Sequence, residues 1–153
     1  MKKRLLLFSA LLSLLLLTGC TKHLTAEPLT LSFPEETAFF TGTLTKDTYT
    51  GTVQGTGWRF EGTLTAERLL DGQGENVPCR AALFGRVEEG TYTGSLVSGL
   101  PDGEGEFSLS SGAVFTGDFS GGTAVRGEAA DLPWELQHGG SRFSGTYTGA
   151  LES

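Results

Sequence analysis

Residues 92–107 read Tyr92-Thr93-Gly94-Ser95-Leu96-Val97-Ser98-Gly99-Leu100-Pro101-Asp102-Gly103-Glu104-Gly105-Glu106-Phe107, with Gly112 beyond. Twenty-three residues after Tyr92 the pattern restarts at Phe115-Thr116-Gly117-Asp118-Phe119. Tyr92 and Leu96 share one parity, as do Phe115 and Phe119, and the residues between them are small or polar. Successive side chains of a strand point to opposite faces, so this alternation describes strands that bury one face and wet the other.

The same reading extends outward. Apolar positions of one parity recur at Phe40-Leu44, Tyr49-Val53, Trp58-Phe60-Leu64, Phe107-Leu109, Trp134-Leu136 and Phe143-Tyr147. The opposite parity carries mostly Thr, Glu, Ser, Arg and Asp. An aromatic followed two residues later by glycine occurs at Phe40/Gly42, Tyr49/Gly51, Phe60/Gly62, Tyr92/Gly94, Phe115/Gly117, Phe143/Gly145 and Tyr147/Gly149. Glycine inside a strand is costly unless something approaches closely. A ring lying over the gap gives the reason, and it predicts Phe60, Tyr92, Phe115 and Phe143 buried beside Gly62, Gly94, Gly117 and Gly145. Helical signal is confined to one turn at Ala66–Leu70, which Asp71-Gly72 stops. Cys79–Phe84 reads as a strand with Cys79 a buried small apolar group. Gly72-Gln73-Gly74 and Gly103-Glu104-Gly105 read as hairpin glycines; they lack the lysine and the following helix of a phosphate loop.

The spacing across 92–122 resembles MORN repeats, the membrane occupation and recognition nexus family, with Phe115 and Phe119 where the family often has Tyr and Trp. A degenerate unit runs from Phe60 to Glu75, with Glu67 in place of an expected glycine. The resemblance implies an all-β, antiparallel hairpin meander forming an elongated single sheet with atypical ends. A small closed β-barrel is the alternative, since closure removes exposed edges. The resemblance implies assembly with proteins or membrane and says nothing of a substrate.

The N-terminus is of another kind. Met1-Lys2-Lys3-Arg4 precedes an apolar run from Leu5 to Leu17, too short for a membrane helix of about 20 residues and typical of a secretory signal. Leu17-Thr18-Gly19-Cys20 resembles the lipobox of bacterial lipoproteins. That likeness implies cleavage before Cys20 and acylation of its thiol and amine with palmitate-type chains, two or three of which anchor a protein stably. The expected organisation is a signal peptide at 1–19, a lipidated Cys20 with tether at 20–36, and a β domain at 37–153. Segment 29–33 alternates as an edge strand would, ended by Pro34. The domain is expected outside the cytoplasm. It would sit on the outer face of the membrane in a one-membrane bacterium. In a two-membrane host it would sit on the outer membrane, since Thr21 is not the Asp of a retention signal.

Of 11 basic and 18 acidic residues, Lys2, Lys3 and Arg4 lie in the signal, so the remainder carries eight against 18. A balance of −10 disfavours nucleic acid and anionic lipid headgroups as partners of the domain. His23 and His138 have no metal-ligand spacing. No serine stands in a nucleophile elbow, and no cofactor is implied. Asp102, Glu104 and Glu106 share one side of their segment. They could bind calcium only weakly, lacking the six or more oxygens of a closed loop. With Asp71, Glu75, Glu88 and Glu89 they are expected in turns lining an acidic interaction edge. The function expected is non-catalytic binding or scaffolding in the cell envelope. The partners are the bilayer through Cys20 and an envelope protein or cell-wall glycan. A structural or self-assembling envelope protein and a small cell-wall hydrolase are the alternatives.

Overall fold

The computed structural model describes residues 21–31, 36–65, 67–138 and 140–152, with side chains outside the description at 134, 136–138, 143, 151 and 152. Cys20 and the signal segment lie outside the described residues. Ten strands run in chain order: β1 (Thr21–Thr30), β2 (Thr37–Thr45), β3 (Thr48–Gln54), β4 (Arg59–Leu64), β5 (Leu70–Leu83), β6 (Arg86–Val97), β7 (Leu100–Leu109), β8 (Val114–Ser120), β9 (Thr123–His138) and β10 (Ser141–Glu152). Each pairs antiparallel with its neighbour in sequence, giving an open meander from β1 to β10. It is an elongated sheet and not a barrel, because the two outermost strands do not pair with each other.

Glycines face one another across almost the whole sheet: Gly42 opposite Gly51, Gly51 opposite Gly62 and Gly62 opposite Gly72. The line resumes with Gly74 opposite Gly94, Gly94 opposite Gly105, Gly105 opposite Gly117 and Gly117 opposite Gly127. A Cβ on Gly62 would stand 2.3 Å from the Asp71 carbonyl oxygen and 2.8 Å from Cζ of Phe60. The ring of Phe60 therefore lies over Gly62 on its own strand and reaches Gly72 on the next. Tyr92 covers Gly94 and Gly105 in the same way. The aromatic-x-glycine rhythm thus packs each ring onto bare backbone of its own and the adjacent strand.

Phe60, Tyr92 and Phe115 are fully buried; the Phe143 side chain lies outside the described residues. Across strands, Phe40, Val53 and Phe60 form one row, and Tyr92, Phe107 and Phe115 another. Burying each of these rings contributes about 1.5–3 kcal/mol.

The second organising feature is a β-bulge that occurs three times. The register jumps between Leu24 and Glu27, between Gly74 and Val77, and opposite Tyr147 and Gly149. At each jump a non-glycine residue takes positive φ: Ala26 (49°), Asn76 (52°) and Asp131 (54°). Each donates its backbone N–H to a threonine hydroxyl on the next strand: Thr41 (3.1 Å), Thr93 (3.0 Å) and Thr148 (3.2 Å). Two residues after each bulge stands a proline, at Pro28, Pro78 and Pro133.

Four strands therefore make one unit: β1–β4 are the first, β5–β8 the second, and β9–β10 repeat the first two strands of a third. Past the bulge, β5 swings away from β4 and pairs along its length with β6, as an arm over the inner face of the second unit, touching β9 only through a parallel bridge of Ala82 to Thr123. Its far end is held there, because Ala82 N–H donates to the Gly122 carbonyl at the β8–β9 turn (2.7 Å). Gly122 N–H donates in turn to the Pro101 carbonyl (2.8 Å). Val77, Cys79, Ala81 and Leu83 of this arm join Tyr92, Leu96, Phe107 and Phe115 in one core. The first arm is held at its end by Arg68, whose guanidinium donates to the Thr30 carbonyl (2.8 Å). Prolines suit these arms because their strands have an edge where no ladder N–H is needed.

Three expectations change. The segment read as a tether contains β1, with Leu24 and Leu29 buried in it and Leu31 just beyond, so among the described residues the sheet includes Thr21–Thr30. The one-turn helix is a loop, closed by Arg68 N–H to the Thr65 carbonyl; Ala66 lies outside the described residues. Gly72, Gly74, Gly103 and Gly105 stand inside β5 and β7, not in turns. The turns are tighter and lie elsewhere, at Phe84-Gly85, Ser98-Gly99 and Gly121-Gly122, all with positive φ at both residues, as two-residue hairpins of right-handed twist require.

Candidate functional site

The second and third arms leave an open groove of about 460 Å³ between them. Leu83, Phe84, Arg86 and Glu88 line one wall, Leu132, Pro133, Glu135 and Tyr147 the other, with Leu109 between. The Phe84-Gly85 turn thrusts Phe84 outward and leaves it 43% exposed, while Tyr147 is 37% exposed. The two rings meet edge to face, centroids 5.6 Å apart. The Tyr147 hydroxyl donates to the Ala150 carbonyl (2.7 Å), so the polar end of the ring is already satisfied. At the rim Glu135 is ion-paired to Arg142. The groove is therefore a mainly apolar surface with charge at its margin, the composition of a recognition site.

At the corresponding place between the first and second units the space is smaller, about 210 Å³, and Arg68 and Leu69 line it with Val77 and Pro78; the two inter-unit connections differ. Between β4 and β5 five residues, 65–69, intervene, and Arg68 of that loop reaches the first arm. Between β8 and β9 there are only Gly121 and Gly122, too little chain to fill the corresponding space.

Asp102, Glu104 and Glu106 do share one side, but they lie within β7 on the outer face of the sheet and not along an edge. Glu104 stands opposite Asp118, and Glu106 opposite Thr93 and Thr116. The Asp102 carboxylate accepts the Gly121 N–H (2.9 Å), securing the β8–β9 turn. Asp118 pairs with Arg126 (2.6 Å). By register Glu61, Asp71, Glu75, Asp118 and Glu128 share this face, against Arg59 and Arg126. The feature is an acidic, threonine-rich face. Among the described residues no group of three His, Cys, Asp or Glu is placed to hold a metal.

Cys79 is buried in the second arm, 1% exposed, and burial pushes its thiol up to about 12. The Tyr92 hydroxyl is likewise pushed up to about 12, first by burial and then by the charges of Cys79 and Asp102. A thiol so raised is neutral and unreactive at physiological pH. Folded protein at pH 8 should resist maleimide at Cys79 and react once unfolded in urea. Labelling at equal rates in both states would contradict the arm's position. Because the folded value is raised, the folded chain holds its proton where the unfolded chain loses it. Stability should therefore fall as pH rises from the free-thiol value near 9 towards about 12.

The groove residues were missed in the sequence, although a signal was present. Glu27-Pro28, Val77-Pro78 and Leu132-Pro133 each follow the bulge residue, and each precedes a partner strand with aromatic-Thr-Gly. That recurrence, at intervals of 50 and 55 residues between bulges, marks the arms. No protein-family model matches the chain, and neither a curated protein nor a solved structure does.

Proposed function

We propose that this chain is a lipid-anchored, non-catalytic binding module of the bacterial cell envelope, whose inter-arm groove takes an apolar segment of an envelope protein. The groove carries the reading. It exposes Phe84 and Tyr147 side by side over Leu83, Leu109, Leu132 and Pro133, and rigid aromatics in a pocket are the usual anchors of protein recognition. Anchoring rests on the sequence: the basic and apolar leader and Leu17-Thr18-Gly19-Cys20. With β1 starting at Thr21, a lipid on Cys20 would hold the sheet close to the bilayer. The acidic face would then turn away from anionic headgroups and leave the groove free. The hairpins from Tyr92 to Phe119 support a MORN-like architecture, here elaborated by the bulged arms. A cell-wall glycan is the second reading, favoured by the row of Thr41, Thr43, Thr50, Thr52 and Thr63 on the outer face.

A photo-crosslinking amino acid at Phe84 in the producing bacterium should trap one envelope protein, and the same group at Glu61 should not. Adducts at Glu61 and none at Phe84 would overturn the groove reading. Cys20→Ser should move the protein from the membrane to the soluble fraction; retention on the membrane would overturn the anchor.

A further inference from the structure

The outer edge of β10 has no strand beside it among the described residues. Its counterparts do: β2 is covered by β3, and β6 by β7. Tyr147 shows the consequence. By register it corresponds to Phe40 and Tyr92, since all three stand opposite the residue after a bulge. Phe40 is 1% and Tyr92 0% exposed, against 37% for Tyr147.

β10 contains what the missing strand should carry. Its second half, Tyr147-Thr148-Gly149-Ala150-Leu151, matches Phe40-Thr41-Gly42-Thr43-Leu44 of β2. Its first half, Phe143-Ser144-Gly145-Thr146-Tyr147, matches Tyr49-Thr50-Gly51-Thr52-Val53 of β3. In the β2–β3 pair Phe40 stands opposite Val53, Gly42 opposite Gly51 and Leu44 opposite Tyr49. Two antiparallel copies of β10 reproduce that register when Tyr147 faces Tyr147, because Gly149 then faces Gly145 and Leu151 faces Phe143. The Tyr147 ring already lies over Gly149, a Cβ there standing 2.7 Å from its hydroxyl. Opposite Gly149 it would find Gly145 of the second copy, as Tyr92 finds Gly105 and Phe60 finds Gly72.

The other edge is unlike this one. On β1, Lys22 occupies the position that Gly72 and Gly127 hold in β5 and β9, and an edge lysine opposes strand addition.

We propose that β10 is an isologous docking edge for a second copy of this chain, joined antiparallel about Tyr147. The contact is closed and two-fold, so it stops at a dimer. It extends the sheet through the pair and covers both Tyr147 rings. It shares Tyr147 with the groove wall, but its test reads association of two copies and not capture of a ligand or attachment of the lipid.

Single cysteines at positions 143–151 in the full chain, in a Cys79→Ala background and detergent micelles, would be oxidised and scored for disulfide dimers. The parent without an added cysteine sets the baseline. Paired residues across an antiparallel ladder are close enough for a disulfide, whereas positions two or more from the axis are not. The dimer yield should peak at position 147. Gly145→Val should lower the yield of the Tyr147→Cys protein at least tenfold, because its side chain meets the partner's backbone, as a Cβ on the corresponding Gly51 would stand 2.2 Å from the Thr41 carbonyl oxygen and 2.7 Å from Cα of Gly42. A scan with no maximum at 147, or a Gly145→Val yield equal to that of the parent edge, overturns the proposal. If Gly145→Val fails to fold, the position of the maximum alone decides.

Discussion

Gly117→Val should lower the urea midpoint of unfolding far more than Gly57→Ala. A Cβ at this position would lie 2.1 Å from the Arg126 carbonyl oxygen and 2.5 Å from Cα of Gly127. Both are backbone atoms of the adjacent strand, which cannot rotate aside as a side chain can. The β8–β9 ladder must therefore open. Losing that ladder and the fit of Phe115 beneath it should cost more than about 4 kcal/mol, beyond the common range for single substitutions. Against a domain stability of about 5–15 kcal/mol, that is a quarter or more of the whole. Gly57→Ala is the control: nothing lies within 4 Å of its Cβ, though φ is +81°. It should lose only about 1–2 kcal/mol, the cost of a left-handed L residue. Urea unfolding followed by tryptophan fluorescence compares the two. Equal midpoints would refute the claim that glycines are needed for strand approach.

Tyr92→Ala should be nearly as damaging, with a loss of about 3–5 kcal/mol for emptying a fully packed aromatic site. Its ring covers Gly94 and Gly105, meets Phe119 edge to face at 5.2 Å, and sits under the arm carrying Cys79. No neighbouring side chain can collapse into the space, because the floor is glycine backbone. Tyr147→Ala, the same change at the corresponding position of the third unit, should cost about 1 kcal/mol in the monomer, since the ring is over a third exposed. Thermal unfolding at low protein concentration separates these expectations. Similar losses at both positions would mean that the strand beyond the ring, β7 for Tyr92, does not complete the core.

The aromatic and glycine alternation made strands β2, β3, β4, β6 and β8 legible, because each keeps one parity from end to end. The long strands were not legible, for a definite reason. In β5 the inward set is Leu70, Gly72 and Gly74 before the bulge, and Val77, Cys79, Ala81 and Leu83 after it. The parity inverts at Asn76, so a period-two reading cancels over the whole strand. The same inversion hid β1, where Leu24 and Leu29 are buried on opposite parities. For the carboxylates, alternation gave their common side correctly. It could not distinguish a face from an edge, since that depends on which strands flank β7. The groove arises from the unequal lengths of two connections and the outward turn residue Phe84, neither of which has a periodicity to detect.

Nearly every strand here pairs only with the one before it and the one after it. Contacts are consequently close in sequence, and chains of low contact order fold fast because little loop entropy is lost before contacts form. The sheet can grow hairpin by hairpin as the chain emerges from a narrow exit, each new strand finding its template already in place. The long-range hydrogen bond from Ala82 to Gly122 marks the step that must wait. Until the β8–β9 turn has been delivered, the second arm has no anchor for its far end, and Val77, Cys79 and Leu83 lie uncovered. A transient exposure of Cys79, closing only when residue 122 is available, would make that thiol a clock for the assembly of the second unit.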